Sequence, residues 1–408
     1  MSMETVKLLS LAADVPYACV GGPFGSKLTT RDYIEDGVPV IRGSNMNNGR
    51  HLDTSEFVYV SEEKVRDDLF GNLAYPNDLI FTQRGTLGQV TIVPEDGPSY
   101  RYVEMKLTLD ENKANILYVY YYFTSRHAIQ KILNFTSSSG VPHINLTVLR
   151  NFEIPLPPLH DQEAIADTLS TYDNLIENNR RRIQLLEQAA RLLYKEWFVH
   201  LRFPGHEHVK IKDGVPEGWE KTTAFEVMEV LSGGTPKTKV ADYWGGEIPF
   251  FTPKDATSIV YAFETEKYIT EYGLKNCNSR LYPKDTLFIT ARGTVGKLNI
   301  AQTEMAMNQS CYALVAKKPL NQHFLYFALI EEINQFRGRA VGAVFNAIVV
   351  DTFRHIPFLV PDESLIAAFS EYVSPILKQI DNLTSQKRSL AKARDLLLPR
   401  LMNGGITV

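Results

Sequence analysis

Two stretches of the chain carry one motif. The first is Tyr75-Pro76-Asn77-Asp78-Leu79-Ile80-Phe81-Thr82-Gln83-Arg84-Gly85-Thr86-Leu87-Gly88, and the second is Tyr282-Pro283-Lys284-Asp285-Thr286-Leu287-Phe288-Ile289-Thr290-Ala291-Arg292-Gly293-Thr294-Val295-Gly296. The second copy is one residue longer between its Asp and its Arg. Because similarity within one chain is the signature of a repeated architecture, the two stretches predict that both halves of the 408 residues fold on the same plan.

Shorter matches flank both copies in the same order. They pair Gly21-Gly22-Pro23 with Gly233-Gly234-Thr235-Pro236, Asp32-Tyr33 with Asp242-Tyr243, Val38-Pro39 with Ile248-Pro249, and Asn145 and Ile154-Pro155 with Asn346 and Ile356-Pro357. The segments between these residues differ in length and composition. The pattern therefore predicts two copies of one scaffold with different surfaces; a duplication without functional meaning is the alternative.

Each half is followed by a heptad pattern. Residues 161–200 contain neither proline nor glycine, and their seam positions step by four and three residues, which is typical of a coiled coil. Asn179 is the one amide in this seam and can fix its register. The first seam comprises Ile165, Leu169, Tyr172, Ile176, Asn179, Ile183, Leu186, Ala190, Leu193 and Trp197.

A second helix repeats the heptad pattern near the C-terminus. Pro375 is expected to bend or restart it, because proline removes a backbone donor and clashes one turn back. Pro399 should loosen the last turn, and Gly404-Gly405 should end it. The second seam comprises Ile366, Phe369, Val373, Ile376, Ile380, Leu383, Lys387, Leu390, Arg394, Leu397 and Leu401.

The predicted fold class is α+β. It consists of two domains (mixed α/β with a β-sheet core) separated by two long antiparallel coiled-coil helices, with a pseudo-twofold internal repeat. The predicted boundaries are 1–158 for the first domain, 159–201 for the first helix, 202–361 for a linker and the second domain, and 362–408 for the second helix and C-terminal tail. On periodicity alone, a structural stalk or a dimerisation element is the alternative.

The composition leaves the ligand open. The formal net charge is −4, and residues 1–150 carry 14 basic and 17 acidic side chains against 18 and 17 in residues 201–361. A nucleic-acid-binding protein of this composition must concentrate positive charge on one face or borrow it from a partner. Three scattered cysteines, Cys19, Cys277 and Cys311, predict neither a disulfide framework nor a zinc site. With no secretion signal and no long apolar run, the chain is expected in the cytoplasm.

Three further motifs resemble those of a known family, the specificity subunits of type I restriction–modification enzymes. Ile154-Pro155-Leu156-Pro157-Pro158-Leu159 followed by Asp161-Gln162-Glu163-Ala164-Ile165-Ala166 resembles the junction between a target-recognition domain and its helix. Pro216-Glu217-Gly218-Trp219-Glu220 looks like the start of the second target-recognition domain, and Leu397-Leu398-Pro399-Arg400-Leu401-Met402-Asn403-Gly404 is similar to the C-terminal signature. The resemblance covers essentially the whole chain.

The resemblance implies a non-catalytic role. Each target-recognition domain would read one half of a split, asymmetric site in double-stranded DNA, and the helices would set the spacer. The helices would also dock two modification subunits, which methylate adenine with S-adenosylmethionine, and the complex would include restriction subunits that use ATP and magnesium. Lys387 and Arg394 are polar seam positions that fit such docking.

Motifs for catalysis are absent from the sequence. It contains no Asn-Pro-Pro-aromatic methylation motif, no glycine-rich cofactor loop and no phosphate-cradling Gly-x-x-x-x-Gly-Lys-Ser/Thr loop. A loose match to a metal-dependent nuclease, Pro94-Glu95 followed by Glu104-Met105-Lys106, leaves a nuclease as one alternative function. A non-catalytic scaffold that joins partners by its coiled coil is the other. No cofactor or metal is expected in this chain.

Three loops in each half are candidates for contact with DNA. Arg84, Gly85 and Thr86 with Arg292, Gly293 and Thr294 suit phosphate or guanine, because glycine admits a close approach and arginine can pair with either; a tight turn between strands is the alternative. Sequence reading is expected from loops that differ. These comprise Arg42, Ser44 and Asn45 against Thr252, Lys254 and Asp255, and Ser137, Ser138 and Ser139 against Arg337 and Arg339.

Overall fold

The computed structural model describes most of the chain as two compact units. Unit 1 comprises Met1–Glu177 and Lys387–Val408, and unit 2 comprises Asn178–Gln386. Each unit therefore contains one repeat together with parts of both long helices. The described residues are 3–22, 27–46, 49–50, 52–54, 57–84, 86–95, 100–102, 105–135, 143–339 and 347–406.

The domain of unit 1 contains three small sheets. The first pairs β1 (Glu4–Lys7) antiparallel with β10 (Glu153–Leu156). The second is antiparallel and has the order β2 (Cys19–Val20), β9 (Met105–Leu107), β6 (Leu79–Phe81), β7 (Val90–Ile92). The third has the order β4 (Val58–Val60), β3 (Val38–Ile41), β8 (Tyr100–Tyr102), β5 (Leu73–Ala74), with β3 parallel to β8. The helices are α1 (Glu62–Lys64), α2 (Ile116–Thr124), α3 (Arg126–Asn134) and α4 (Leu146–Arg150).

The domain of unit 2 repeats this plan. A short hairpin of β11 (Ile211–Lys212) and β12 (Val215–Pro216) precedes the pair β13 (Glu220–Thr223) and β22 (Pro357–Val360). The larger sheet has the order β14 (Met228–Ser232), β21 (Cys311–Ala316), β18 (Leu287–Thr290), β19 (Leu298–Ala301), β16 (Tyr261–Ala262). The smaller has the order β17 (Lys267–Ile269), β15 (Trp244–Phe251), β20 (Ala306–Met307), and the helices are α6 (Glu271–Lys275) and α7 (Gln322–Arg339).

The repeats agree in strand register as well as in strand order. Leu79 of β6 lies opposite Ile92 and Leu107, and Leu287 of β18 lies opposite Ile300 and Leu314. These strands are short runs of buried apolar residues, as expected for strands covered on both faces. One face packs on α2 in unit 1 and on α7 in unit 2, within the main core of each unit. The predicted repeat and mixed α+β class are therefore confirmed.

The two long helices are α5 (Leu159–Tyr194), extended by a π-turn at Lys195–Val199, and α8 (Glu363–Met402). Every predicted seam position in both helices is buried or half-buried. In unit 1 the N-terminal turns of α5 share a core with the C-terminal turns of α8, and in unit 2 the reverse holds. The predicted antiparallel coiled coil is confirmed.

The prediction that Pro375 restarts the second helix is wrong. Helix α8 continues through Pro375, whose exposed ring lies between the buried side chains of Val373 and Leu377. Packing on both sides of the proline therefore outweighs the loss of one backbone hydrogen bond. The predicted C-terminal stop is correct: Gly404 is left-handed at φ +70°, and Gly405 donates its N–H to the Arg400 carbonyl at 2.8 Å.

Two residue pairings suggested by the sequence are displaced in the structure. Asn77 and Asp285 are the left-handed residues that precede β6 and β18, so Asp78 corresponds to Thr286 and not to Asp285. The Phe152 carbonyl accepts from the Leu8 N–H, as the Ile356 carbonyl does from Ala224.

The backbone hydrogen bonds from Leu8 to Phe152 and from Ala224 to Ile356 align Phe152 with Ile356. The Ile-Pro match in the sequence is therefore displaced by two residues. Ile154 corresponds to Phe358, and Asn145, which caps α4, corresponds to Val349. Asn346 lies outside the described residues. In both places, identical residue types near a turn suggest an alignment of the two repeats that differs from the structural one.

Candidate DNA-binding interface

The repeated Arg-Gly-Thr motif lies between the two strands of an antiparallel β-hairpin in both domains. It joins β6 to β7 and β18 to β19, and the Thr82 and Thr290 N–H groups donate to the Gln89 and Lys297 carbonyls at 3.1 and 3.0 Å. Gly296 closes the second turn with φ +77°, a conformation that favours glycine. The backbone therefore forms a tight turn between strands, as the alternative interpretation of this motif predicts. Several side chains of the turn remain accessible to a ligand. The exposed members are Arg84, Thr86, Arg292, Gly293 and Thr294; Gly85 lies outside the described residues.

The second candidate loop has the same capped turn in both domains. The Asn45 side-chain oxygen accepts the Arg42 N–H at 2.9 Å, and Asp255 accepts the Thr252 N–H at 2.8 Å. We name residues 42–46, 49–50 and 52–54 the first recognition segment, and residues 252–260 the second recognition segment. Their capped turns confirm that the two segments occupy equivalent places.

Within this turn, burial separates the candidate base-reading residues. Asn45 is only 2% exposed, and both carboxylate oxygens of Asp255 accept backbone N–H groups, from Thr252 and Glu266. These two side chains hold the turn in shape. Ser44 and Lys254 occupy the exposed position of each turn, with Lys254 3.8 Å from the Glu266 carboxylate. Arg42 and Thr252 are half-buried.

The third candidate loop differs from its prediction. Arg337 and Arg339 belong to the last turn of α7 and not to a loop, because the helix begun at Gln322 meets no proline and its one glycine lies near its end. Ser137, Ser138 and Ser139 lie outside the described residues.

In unit 2 the hairpin turn and the recognition segment are neighbours. A Cβ atom built at Gly293 would lie 3.8 Å from Pro253 Cβ, and Lys297 Nζ donates to the Ala256 carbonyl at 3.4 Å. Arg292, Thr294 and Lys254 are therefore exposed side chains of adjoining loops. Such a surface can pair cationic groups with phosphate and offer polar groups to base edges.

Two further residues, which were not among the candidates from the sequence, hold these segments by hydrogen bonds. Thr91 lies in β7 and Asn299 in β19; both are fully buried, and both hydrogen-bond to a recognition segment. The signal was present in Val90-Thr91-Ile92 and Leu298-Asn299-Ile300, where one polar residue interrupts an apolar strand.

The residues proposed for a nuclease do not form one among the described residues. Lys106 Nζ is buried and donates to Asp78 Oδ2 at 2.8 Å and to the Leu73 carbonyl at 2.9 Å. Asp78 also accepts from the Tyr75 N–H and the Thr108 hydroxyl. Glu104 lies outside the described residues. Lys106 therefore contributes to a closed ion pair in the core and is not open to a metal or substrate.

The polar seam positions of the helices are satisfied within the chain where their bonds are described. Arg394 donates to Asp173 Oδ1 at 2.5 Å, and the Tyr121 hydroxyl donates to Asp173 Oδ2 at 2.6 Å. Burial, and then the Asp173 charge, raise the pKa of Tyr121, so its hydroxyl stays a donor. Asn179 Nδ2 lies 3.5 Å from Gln386 Oε1. Arg394 thus needs no partner protein to explain it.

Neither a metal cluster nor a membrane helix occurs in the described part of the chain. No group of three His, Cys, Asp or Glu side chains there could hold a metal ion. None of the described helices is both long and apolar enough to span a bilayer.

Comparison with known proteins identifies the family. A family model, the type I restriction modification DNA specificity domain, matches residues 24–188 and 216–391. The type I restriction enzyme MjaIX specificity subunit of Methanocaldococcus jannaschii is 24% identical over 383 residues, covering 88% of this chain and 86% of that one. The HindI specificity subunit of Haemophilus influenzae is 22% identical over 398 residues, with 81% and 86% covered.

A solved structure shows the same fold. The S subunit of a type I restriction–modification system from M. genitalium has a TM-score of 0.56 at 17% identity and covers 98% of this chain and 96% of its own. The family model covers most of both repeats, including both hairpin turns and both recognition segments. The chain therefore belongs to the family of type I restriction–modification DNA specificity subunits.

Proposed function

We propose that each of the two domains reads one half of a split, asymmetric site in double-stranded DNA, and that the two long helices bind two modification subunits. Membership of the family makes the chain a DNA-recognition subunit, with catalysis in other subunits of the complex. In the proposed complex, S-adenosylmethionine belongs to the modification subunits, and ATP and magnesium belong to restriction subunits.

One observation carries the proposal for the half-sites. The two recognition segments share the same capped turn, yet its exposed position is Ser44 in the first and Lys254 in the second. A hydroxyl can pair with several bases, whereas a lysine favours the acceptors of guanine. Equivalent places with different chemistry are what two unlike half-sites require.

The hairpin turns supply what both half-sites share. Arg84 and Arg292 are exposed at equivalent positions and are the same residue in both domains. A contact common to two different sequences suits the phosphate backbone, which is the same everywhere. We assign these arginines to phosphate, together with Thr86 and Thr294. Arg42 and Thr252 flank the base-reading position, while the arrangement of Arg337, Arg339 and the three serines is left to experiment.

The proposal for the modification subunits rests on equivalent apolar surfaces. Leu192 of α5 and Leu396 of α8 stand at the same distance from the first residue of their helices and are 63% and 68% exposed. In unit 1 a cavity of about 660 Å³ is lined by Tyr121, Asp395 and Leu398, the last two of which flank Leu396 in sequence. In unit 2 one of about 320 Å³ is lined by Leu192 and Phe327. Two like surfaces fit two copies of one partner.

Methylation mapping tests the first part of the proposal. Deleting the gene should remove one split adenine-methylated motif from the genome of its host. Lys254→Ala should then relax discrimination by roughly tenfold at one half-site, while the exposed Lys212→Ala serves as the matched control. A methylome that keeps every split motif after deletion contradicts the proposal.

Phosphate contacts predict a different result from base contacts. Arg84→Ala and Arg292→Ala should weaken binding to every DNA sequence alike and reduce the dependence of affinity on salt. A chain that acted only as a scaffold would show no change in either variant.

Subunit counting tests the second part. Leu192→Asp or Leu396→Asp should reduce the bound modification subunits from two to one, because each charge removes one apolar surface. Leu9→Asp alters an exposed leucine (46%) outside both long helices and should leave both subunits bound. Two subunits bound to the Leu192→Asp/Leu396→Asp double variant would show that they dock elsewhere.

A further inference from the structure

Thr91 and Asn299 occupy the same place in the two repeats. Thr91 lies opposite Ile80 at the centre of β7, and Asn299 lies opposite Phe288 in β19. Both are fully buried within otherwise apolar strands. A polar side chain in such a strand costs free energy unless hydrogen bonds satisfy it. The partners of these two side chains therefore explain why they are tolerated.

Both the nitrogen and the oxygen of the Asn299 side-chain amide hydrogen-bond to the second recognition segment. Its Nδ2 donates to the Ile259 carbonyl at 2.7 Å and to Thr257 Oγ1 at 2.9 Å. Its Oδ1 accepts the Thr257 N–H at 3.2 Å. One buried side chain thus fixes the backbone of the segment directly after its capped turn.

Thr91 makes the corresponding contact in unit 1. Its hydroxyl donates to the Arg50 carbonyl at 3.1 Å, and the Ile92 N–H donates to the same carbonyl at 3.0 Å. In unit 2 the Ile300 N–H donates likewise to the Val260 carbonyl at 2.8 Å. The position is therefore shared between the repeats, with a single side-chain bond in unit 1 and several in unit 2.

The other anchors of the second recognition segment lie at its two ends. Ala256 is buried near the turn, and at the far end the fully buried Val260 donates its N–H to Glu187 of α5 at 2.6 Å. Between these points, Thr257 is exposed and its backbone is held by Asn299. Loss of the amide would remove the side-chain acceptor of the Thr257 N–H and one of the two donors to the Ile259 carbonyl, which favours a shift of the segment.

We propose that Thr91 and Asn299 are positioning residues for DNA reading: each fixes the recognition segment of its own domain and thereby sets discrimination at one half-site without touching DNA. The proposal rests on the function proposed above. Because Asn299 holds two residues of its segment and Thr91 only one, the second half-site depends more strongly on its positioning residue.

The test replaces each side chain with an apolar one of similar size. Asn299→Leu removes the whole amide, and Thr91→Val removes one hydroxyl. Each variant is assembled with its modification subunits, and methylation is measured on the mapped site and on duplexes with one base changed in either half. Thr257→Val, which deletes one acceptor of Asn299 at an exposed position, is the fallback if Asn299→Leu does not fold.

Asn299→Leu should lower discrimination about tenfold at one half-site and leave the other half-site unchanged. Thr91→Val should lower discrimination two- to threefold at the opposite half-site. Unchanged discrimination in folded Asn299→Leu, or an equal loss at both half-sites, overturns the proposal. The function proposed above is judged separately by Lys254→Ala: if that variant keeps full discrimination while Asn299→Leu loses it at one half, the base-reading residue is misassigned and the positioning role stands.

Discussion

Unit 1 has one buried and one half-buried ion pair at places where unit 2 has uncharged side chains. Asp78 and Lys106 correspond to Thr286 and Ala313, since both pairs flank the same strand positions. Tyr121, Asp173 and Arg394 correspond to Phe327, Leu377 and Ala190, which stand equally far from the starts of their helices. All three residues in unit 2 are buried in its main core.

The comparison shows that the scaffold does not require its buried charges. A desolvated ion pair gains little net stability over apolar residues, yet removing one partner is costly because the other stays charged and buried. The uncharged residues of unit 2 can therefore be introduced at the equivalent charged positions of unit 1.

The largest effect is expected from breaking the pair in the sheet. Lys106→Met leaves Asp78 charged and buried, and should lower the free energy of unfolding of unit 1 by about 3–5 kcal/mol. Asp78→Thr/Lys106→Ala, which copies unit 2, should recover most of that loss. Calorimetry with hydrogen exchange on β6 and β9 measures both. A double variant as unstable as Lys106→Met would mean that the ion pair is required.

A smaller effect is expected in the coiled coil. Arg394→Ala should destabilise unit 1 by about 1–3 kcal/mol, because Asp173 loses its charged partner but keeps the Tyr121 hydroxyl. The triple variant Tyr121→Phe/Asp173→Leu/Arg394→Ala, built from unit 2, should approach the stability of the native chain. Thermal denaturation compares the three proteins. Equal loss in the single and triple variants would show that the two helix seams are not interchangeable.

The smallest effect concerns a carboxylate that only unit 2 has. Burial raises the pKa of Glu187, and the Val260 N–H and then Arg191 partly offset that rise; the equivalent residue of α8 is Ala391. Because the folded pKa exceeds the unfolded one, the folded state binds the proton more tightly, and stability falls as pH rises through the folded pKa. Glu187→Gln keeps an acceptor for Val260 and should abolish that decline. Urea denaturation across this pH range measures it, with a persistent decline as the contrary result.

Strong periodicity made the large elements of the fold predictable. The alternating steps in both seams fixed helices α5 and α8, and the repeated turn motif located both hairpins. The structural role of Asn45 and Asp255 could also have been predicted, because Asn and Asp are side chains of the type that cap turns. Burial could not be read in this way. Asp78 and Asp285 are the same residue type after similar residues, but Asp78 is enclosed in the core and Asp285 has a left-handed backbone conformation.

The candidate interface was only partly predictable for a related reason. Thr91 and Asn299 hydrogen-bond to segments about 40 residues away in sequence, and no local pattern reveals such a contact. Arg337 and Arg339 were expected in a loop, whereas helix α7 continues through them. Contacts that close over long separations need the fold before they can be named.

The capped turn of the recognition segments has a consequence for how specificity changes over generations. Its shape depends on Asn45 or Asp255, so under the proposed base-reading role a mutation at position 44 or 254 would alter the side chain offered to DNA while the capped turn is kept. New variants at these positions are therefore seldom lost through misfolding. On the proposed assignment, single substitutions at these two positions would change the target sequence without loss of the fold.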